Sequence, residues 1–130
     1  MCTLQKLTGN TSMVSINTAN PNRNGTGAMS SLVVGANDGT AITSIVVKAT
    51  DSTSQGMVRF FIDDTVNIRI VKEVTIPATT PTGTVEAFSA NLFSGFTLKS
   101  GYTLKVSTEV ADNFNIIAFC CDWDNCDCPG

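Results

Sequence analysis

Two stretches separated by a short acidic turn decide the fold: Gly56–Asp63, GMVRFFID, and Val66–Ile76, VNIRIVKEVTI. Both are rich in β-branched and aromatic residues, which favour strands over helices. The turn-forming residues between them, at positions 63–65, leave just enough chain to reverse its direction. The pattern therefore predicts a β-hairpin, and its alternation has a period of two.

The first arm of this hairpin carries aromatic side chains on both faces. One face holds Val58, Phe60 and Ile62, and the other holds Met57, Arg59 and Phe61. The second face admits two interpretations. Either a loop of the same chain covers it, or it is a subunit contact through Phe61 and Met57, since a lone domain seldom exposes such a patch.

Working outward from the hairpin, further short strands are separated by turn-forming residues, and no stretch of ten or more residues shows a helical apolar stripe. The predicted strands are Ser12–Asn17, Ala28–Gly35, Ile42–Thr50, Thr84–Asn91, Phe96–Lys99, Tyr102–Val110 and Phe114–Cys121. This pattern predicts an all-β protein, a single jelly-roll-like β-sandwich with irregular N- and C-terminal arms. The expected division is an N-terminal arm over 1–11, the sandwich over 12–121 and a Cys/Asp-rich tail over 122–130.

The alternation also predicts which side chains fill the space between the two sheets. The expected core residues are Val58, Phe60, Ile62, Ile68, Ile70, Leu104, Val106, Phe114, Ile116 and Ala118.

Charge excludes several classes of partner. The net charge is −3, and the tail aspartates Asp122, Asp124 and Asp127 account for it, so the rest of the chain is neutral. No basic stripe is present to neutralise phosphates or to attract anionic lipid, and we expect neither nucleic acid nor membrane as a partner. The N-terminus lacks the pattern of a secretory signal, which predicts a soluble protein made in the cytoplasm.

The sequence offers little material for catalysis. Histidine is absent, which removes the commonest general base and the usual partner of a nucleophilic serine or cysteine. The neighbouring carboxylates Asp63 and Asp64 would point to opposite faces of a strand, where they could not share a proton. They are therefore interpreted as turn residues and not as a catalytic pair. We expect no enzyme activity, no catalytic residue and no cofactor.

Four of the five cysteines crowd the end of the chain, in Phe119–Gly130, FCCDWDNCDCPG. The spacing lacks the paired knuckles of a zinc site, and the aspartates lack the glycine and the distant glutamate of a calcium loop. No metal site is therefore predicted. Disulfides within or between chains remain the preferred interpretation, beside the alternative of idle thiols. The disulfide candidates are Cys120, Cys121, Cys126 and Cys128.

From about Ile42 to Phe119 the chain resembles a family of small virion proteins encoded in the structural modules of tailed bacteriophages. The resemblance is carried by these segments: IVVKAT at 45–50, GMVRFFIDD at 56–64, KEV at 72–74 with Pro77 and Pro81, EAF at 86–88, GYTLKVST at 101–108, and FNIIA at 114–118. It implies a β-sandwich with a structural role, in capsid decoration or in fibres, and it implies no active site. The cysteine-rich end departs from the pattern.

Two functions of different class follow as expectations. The first is a capsid decoration, or cement, protein on the virion surface, bound to the major capsid protein and to itself as a homotrimer. Trp123 joins Phe61 and Met57 as an interface candidate in that case. The second is a carbohydrate-binding sandwich of a fibre or adhesin, for which Trp123 and Tyr102 are the available stacking residues.

Overall fold

The computed structural model describes residues 3–92 and 95–127, with side chains described over 9–92 and 95–122. No described residue is helical, and the described part of the chain thus contains no helix that could span a membrane. The strands are β1 (Thr3–Ile16), β2 (Ser30–Val34), β3 (Thr40–Ala49), β4 (Gly56–Asp63), β5 (Ile68–Ile76), β6 (Ser89–Leu92), β7 (Phe96–Leu98), β8 (Thr103–Thr108) and β9 (Phe114–Asp127).

These strands form two antiparallel sheets that pack face to face as a β-sandwich. Sheet A has the order β1-β9-β3-β6, with β7 also paired to β3, and sheet B has the order β2-β8-β4-β5. The all-β prediction is confirmed. The finer assignment to a jelly roll stays a prediction.

The predicted irregular arms are instead strands over most of their length. β1 pairs with β9 without interruption from Thr3 opposite Asp127 to Ile16 opposite Phe114. The prediction of an arm over 1–11 is wrong from Thr3 onwards, and that of an irregular tail over 122–130 is wrong as far as Asp127. The reason is that each segment is ordered by the other, across more than a hundred residues of chain, and a local pattern cannot reveal such a pairing.

The hairpin of β4 and β5 forms as predicted, from Gly56 opposite Ile76 to Asp63 opposite Ile68. Its register shifts between Phe60, which faces Lys72, and Phe61, which faces Ile70, so Val71 is an extra residue in β5. Such a β-bulge interrupts the alternation, so Ile68 and Ile70, before it, lie on the opposite face from Val74 and Ile76, after it.

The core lies between the sheets and contains seven of the ten predicted residues, each at most 1% exposed: Val58, Phe60, Leu104, Val106, Phe114, Ile116 and Ala118. Ile62 is half-buried against the same cluster. The prediction for Ile68 and Ile70 is wrong, because the bulge at Val71 places both on the outer face of sheet B. Ile70 is 36% exposed.

The connection between β1 and β2, residues 17–29, lies across the outer face of sheet B, and we call it the cover loop. Beneath it Phe61 is 0% exposed and Arg59 is 2% exposed. Cover-loop residue Gly25 has a φ of +83°, and a Cβ there would lie 2.8 Å from the Cβ of Ile68. Only glycine allows both this backbone conformation and this close approach.

Ion pairs fasten the cover loop to the sheet. Arg59 Nε donates to Glu73 Oε2 at 3.0 Å, and Arg59 Nη1 donates to the carbonyl oxygen of Pro21 at 3.5 Å. Arg23, in the cover loop, donates to the same Glu73 oxygen at 2.9 Å. The hydrogen bond from Arg59, followed by that from Arg23, lowers the pKa of Glu73.

Truncation of Phe60 to Ala should lower the free energy of unfolding by about 3–5 kcal/mol, because it removes a fully buried aromatic ring. The same truncation at Ile70 should cost less than about 1 kcal/mol, because that side chain lies outside the core. Urea unfolding of both variants tests the pair. Equal costs would contradict the register described for β5.

Replacement of Glu73 by Gln should flatten the acid dependence of stability. A lowered folded pKa means that the ionised carboxylate stabilises the wild-type fold above pH 4.5, the ordinary value for this group, and that this contribution is lost as the pH falls through the folded value. Urea midpoints measured from about pH 6 down to about pH 3 give the slope.

The matched control is Glu86→Gln, since Glu86 is 79% exposed and makes only a 3.7 Å ion pair with Lys48. The control should follow the wild-type slope. If Glu73→Gln also follows it, the ion pair with Arg59 contributes nothing to acid stability.

Candidate functional site

Within the described residues, no loop covers the outer face of sheet A as the cover loop covers that of sheet B. Met13 of β1 lies opposite Ile117 of β9, which in turn lies opposite Val46 of β3. These three residues form an apolar row across the sheet, and Phe119 follows two residues further along β9. We call this set (Met13, Val46, Ile117 and Phe119) the open face.

Exposure distinguishes the open face from ordinary surface. Met13 is 72% exposed and Phe119 is 41% exposed, whereas Ile117 and Val46 are half-buried. A hollow of about 360 Å³ lies at one end, lined by Met13, Val14, Ser15, Asn115 and Ile117. Clustered large apolar residues on one side of a small domain are typical of an interaction surface.

Two uncharged polar neighbours of the open face are already hydrogen-bonded. Ser15 Oγ donates to Asn115 Oδ1 at 2.8 Å, and Thr43 Oγ1 donates to the carbonyl oxygen of Phe119 at 2.8 Å. Lys48 flanks the face, but its Nζ donates to the carbonyl oxygen of Ala87 at 2.8 Å. Such a surface can bind a partner by burying apolar area, and the described residues place no acid/base pair on it.

Beyond the body of the sandwich, β1 and β9 continue as a two-stranded ribbon. Asp122 is the last residue of β9 that faces β3, at Thr40. From there on β9 pairs only with β1, so that Trp123 faces Leu7 and Cys126 faces Leu4. We call residues 3–7 and 123–127 the ribbon.

The position of Trp123 belongs to the same side of the sheet as the open face. The β1–β9 register contains no shift, so positions 117, 119, 121 and 123 of β9 share one side of the sheet by strand alternation. The predicted interface residue Trp123 therefore lies at the first ribbon position of β9, opposite Leu7, and its side chain lies outside the described ones.

The other two predicted interface residues lie elsewhere. Phe61 is fully buried under the cover loop, so the prediction of a subunit contact through it is wrong and the alternative interpretation, a loop over the strand, is confirmed. Met57 is half-buried, and Thr75 Oγ1 donates to its Sδ at 3.8 Å.

The cysteines of β9 differ in burial. Cys120 is 3% exposed and Cys121 is half-buried, and both thiols are free. Burial, followed by the nearby charge of Asp122, raises the pKa of Cys120. A raised pKa leaves less of the reactive thiolate at neutral pH.

Strand geometry restricts the predicted disulfides. Cys120 and Cys126 both lie in β9, and six extended residues span roughly 20 Å, well beyond the roughly 7 Å that a disulfide allows between Cα atoms. Neither Cys120 nor Cys121 can bond Cys126 of the same chain while β9 is formed. Pairing between chains stays a prediction, and Cys128 lies outside the described residues.

The carboxylate pair at the hairpin turn stabilises the turn itself. Asp63 Oδ1 accepts the N–H of Thr65 at 2.8 Å, and Asp64 Oδ1 accepts the N–H groups of Val66 and Asn67. The Asn67 and Val66 hydrogen bonds, with that from Arg69, lower the pKa of Asp64 to about 2. The interpretation of both as turn residues is confirmed.

Two further features bear on ligands. A shallow cleft of about 440 Å³ lies beside Tyr102, and its polar lining includes Asn37, Asp38, Lys99 and Ser100. Within the described residues, no three His, Cys, Asp or Glu side chains are grouped so that they could hold a metal ion.

No protein-family model matches the chain, and no curated protein matches it.

Sequence reasoning missed the open face, although the signal was present. Phe114–Cys121, FNIIAFCC, is apolar at nearly every position, which for an antiparallel strand indicates burial on one face and an exposed apolar set on the other. The ribbon left no comparable signal, because it depends on a pairing between the two ends of the described chain.

Iodoacetamide should modify Cys121 faster than Cys120 in the folded protein, because Cys120 is buried and its burial raises its pKa. Time-resolved alkylation followed by peptide mass spectrometry gives both rates in one sample. Unfolding in urea is the control and should bring the two rates together. Equal rates in the folded protein would contradict the burial of Cys120.

Proposed function

We propose that the protein is a non-enzymatic structural protein of a bacteriophage virion, which decorates the outside of the capsid as an oligomer and stabilises the shell. The observation that carries the proposal is the open face, continued by the ribbon. The described chain thus has one closed outer face, over sheet B, and one apolar outer face, on sheet A. A partner that covers the second face gains buried apolar area without displacing any part of this chain.

The strand order supports the choice of a virion component. The orders β1-β9-β3-β6 and β2-β8-β4-β5 are those expected if the chain is a jelly roll, an architecture found in viral capsid and lectin domains. Fold alone does not establish function. The open face therefore carries the proposed role, and the architecture only supports it.

The size of the open face explains why an oligomer is part of the proposal. Four exposed or half-buried apolar side chains are fewer than the roughly 20–30 residues that each partner contributes to a stable interface. Several copies linked together bind more firmly, because each later contact is intramolecular and avidity rises by about 10²–10⁴. The proposed partners are accordingly the major capsid protein and further copies of this chain, with a homotrimer as the expected form.

A second candidate function, carbohydrate binding, is favoured by the cleft beside Tyr102. An aromatic ring next to amide, carboxylate and hydroxyl groups is the usual composition of a shallow sugar site. A glycan array with wild type and with Tyr102→Ala separates the two candidates. Sugar binding that requires Tyr102, without binding to shells, would replace the capsid proposal.

Substitution of Phe119 or Met13 by Ser should weaken binding to shells several-fold to about tenfold per subunit, because each change removes apolar area from the open face. Both side chains are exposed, so the free energy of unfolding should change little. Co-sedimentation with shells prepared without the protein measures the binding.

Val66→Ser is the matched control, because Val66 is 84% exposed and lies in the β4–β5 turn, away from the open face. It should bind like wild type. If all three variants bind shells equally, or if shells with and without the protein lose their contents at the same temperature, the proposed function is wrong.

Truncation of residues 1–11 is a poor test, since it would remove most of β1.

A further inference from the structure

One buried hydroxyl group in the described chain has no partner. Ser107 of β8 is 2% exposed, and its Oγ makes no hydrogen bond within the protein. Buried polar side chains in folded proteins are nearly always satisfied by protein, water or a ligand. An unpaired hydroxyl therefore indicates that something outside the described chain completes it.

Ser107 lines a cleft of about 240 Å³ at the edge of the sandwich, where β1 ends, β2 begins and β8 ends. The cleft has room for about eight water molecules or for one sugar-sized ring. Its lining is Ser15, Ile16, Asn17, Thr18, Ala28, Met29, Ser30, Val106, Ser107 and Thr108. Six of these ten residues carry hydroxyl or amide groups, and none is charged.

The wall of the cleft is held by a buried asparagine. Asn20 is 2% exposed, and its Nδ2 donates to the carbonyl oxygens of Thr26 at 3.0 Å and Ala28 at 2.8 Å. The backbone N–H of Asn20 donates to the carbonyl oxygen of Thr108 at 2.8 Å. These bonds fix both sides of the opening relative to β8, so the cleft is formed before any ligand arrives, which lowers the cost of binding.

The lining determines the class of ligand. Without a charged residue it offers no preference for an anion or a cation. Hydroxyl and amide groups that donate and accept at short range suit a molecule that does the same, and Ala28 and the half-buried Met29 supply apolar surface for a carbon skeleton.

We propose that this cleft binds a small uncharged polyhydroxy molecule, a polyol or one sugar unit, with a ligand hydroxyl paired to Ser107 Oγ. The site is independent of the proposed capsid role. It is also distinct from the cleft beside Tyr102, which contains charged groups and lies at other loops.

Titration of the ¹⁵N-labelled chain with glycerol, sorbitol, methyl α-D-glucoside and N-acetylglucosamine tests the proposal by chemical shift. We expect saturable shifts at the amides of Ser30, Ser107 and Thr108. Saturation by the free polyols indicates a metabolite as the source of the ligand, and saturation by the two sugars alone indicates a glycan. Non-saturating shifts with all four probes up to about 100 mM, far above a millimolar Kd, would overturn the proposal.

Ser107→Ala should weaken binding by up to about tenfold, the effect of one lost hydrogen bond. Ser31→Ala, an exposed serine of β2 that does not line the cleft, should bind like wild type. In the absence of probe, the urea midpoint of Ser107→Ala should equal or exceed that of wild type, because an unpaired buried hydroxyl is removed. A lower midpoint would show that Ser107 is already satisfied within the protein, and unchanged affinity would show that binding occurs elsewhere.

Discussion

The charge of Arg59 constrains more of this structure than any other single group. A guanidinium that is 2% exposed is tolerable only if its charge and its N–H groups find partners. Glu73 supplies the first partner from the neighbouring strand, at 3.0 Å, Glu109 lies at 3.7 Å, and the carbonyl oxygen of Pro21 comes from the cover loop. Burial of Arg59 therefore requires the cover loop to lie where it does, and the loop in turn buries Phe61.

Closing one outer face gives the molecule two unlike sides. The cover loop and its ion pairs lie over the outer face of sheet B. In sheet A, the central strand β9 has buried residues such as Ile116 on one face and the exposed Phe119 on the other. An antiparallel sheet that is solvated on one face ordinarily carries polar residues there. The departure from that rule along β9 is the physical basis of the proposed binding role of sheet A.

The sequence was sufficient for features that depend on local alternation and insufficient for those that depend on distant pairing. The β4–β5 hairpin and the burial of Phe60 follow from a period of two. The bulge at Val71 left no signal, because one extra residue in an apolar strand resembles the strand itself, and Ile70 was therefore assigned to the wrong face. Strand β1 was missed over Thr3–Thr11 because only β9 orders it. The choice between a covering loop and a subunit contact at Phe61 stayed open because the cover loop, residues 17–29, lies far from Phe61 in the sequence.

The ribbon connects the fold to the proposed role. An isolated pair of strands is marginally stable in water unless a third strand or a second layer supports it, and residues 123–127 have lost the support of β3, which reaches only to Asp122. A shell subunit or a second copy that adds a strand beside this pair would supply the third strand that β3 no longer provides. Attachment and stabilisation of the ribbon would then be a single event. Its position, continuous with the open face through Phe119 and Cys121, means that one partner can cover both at once.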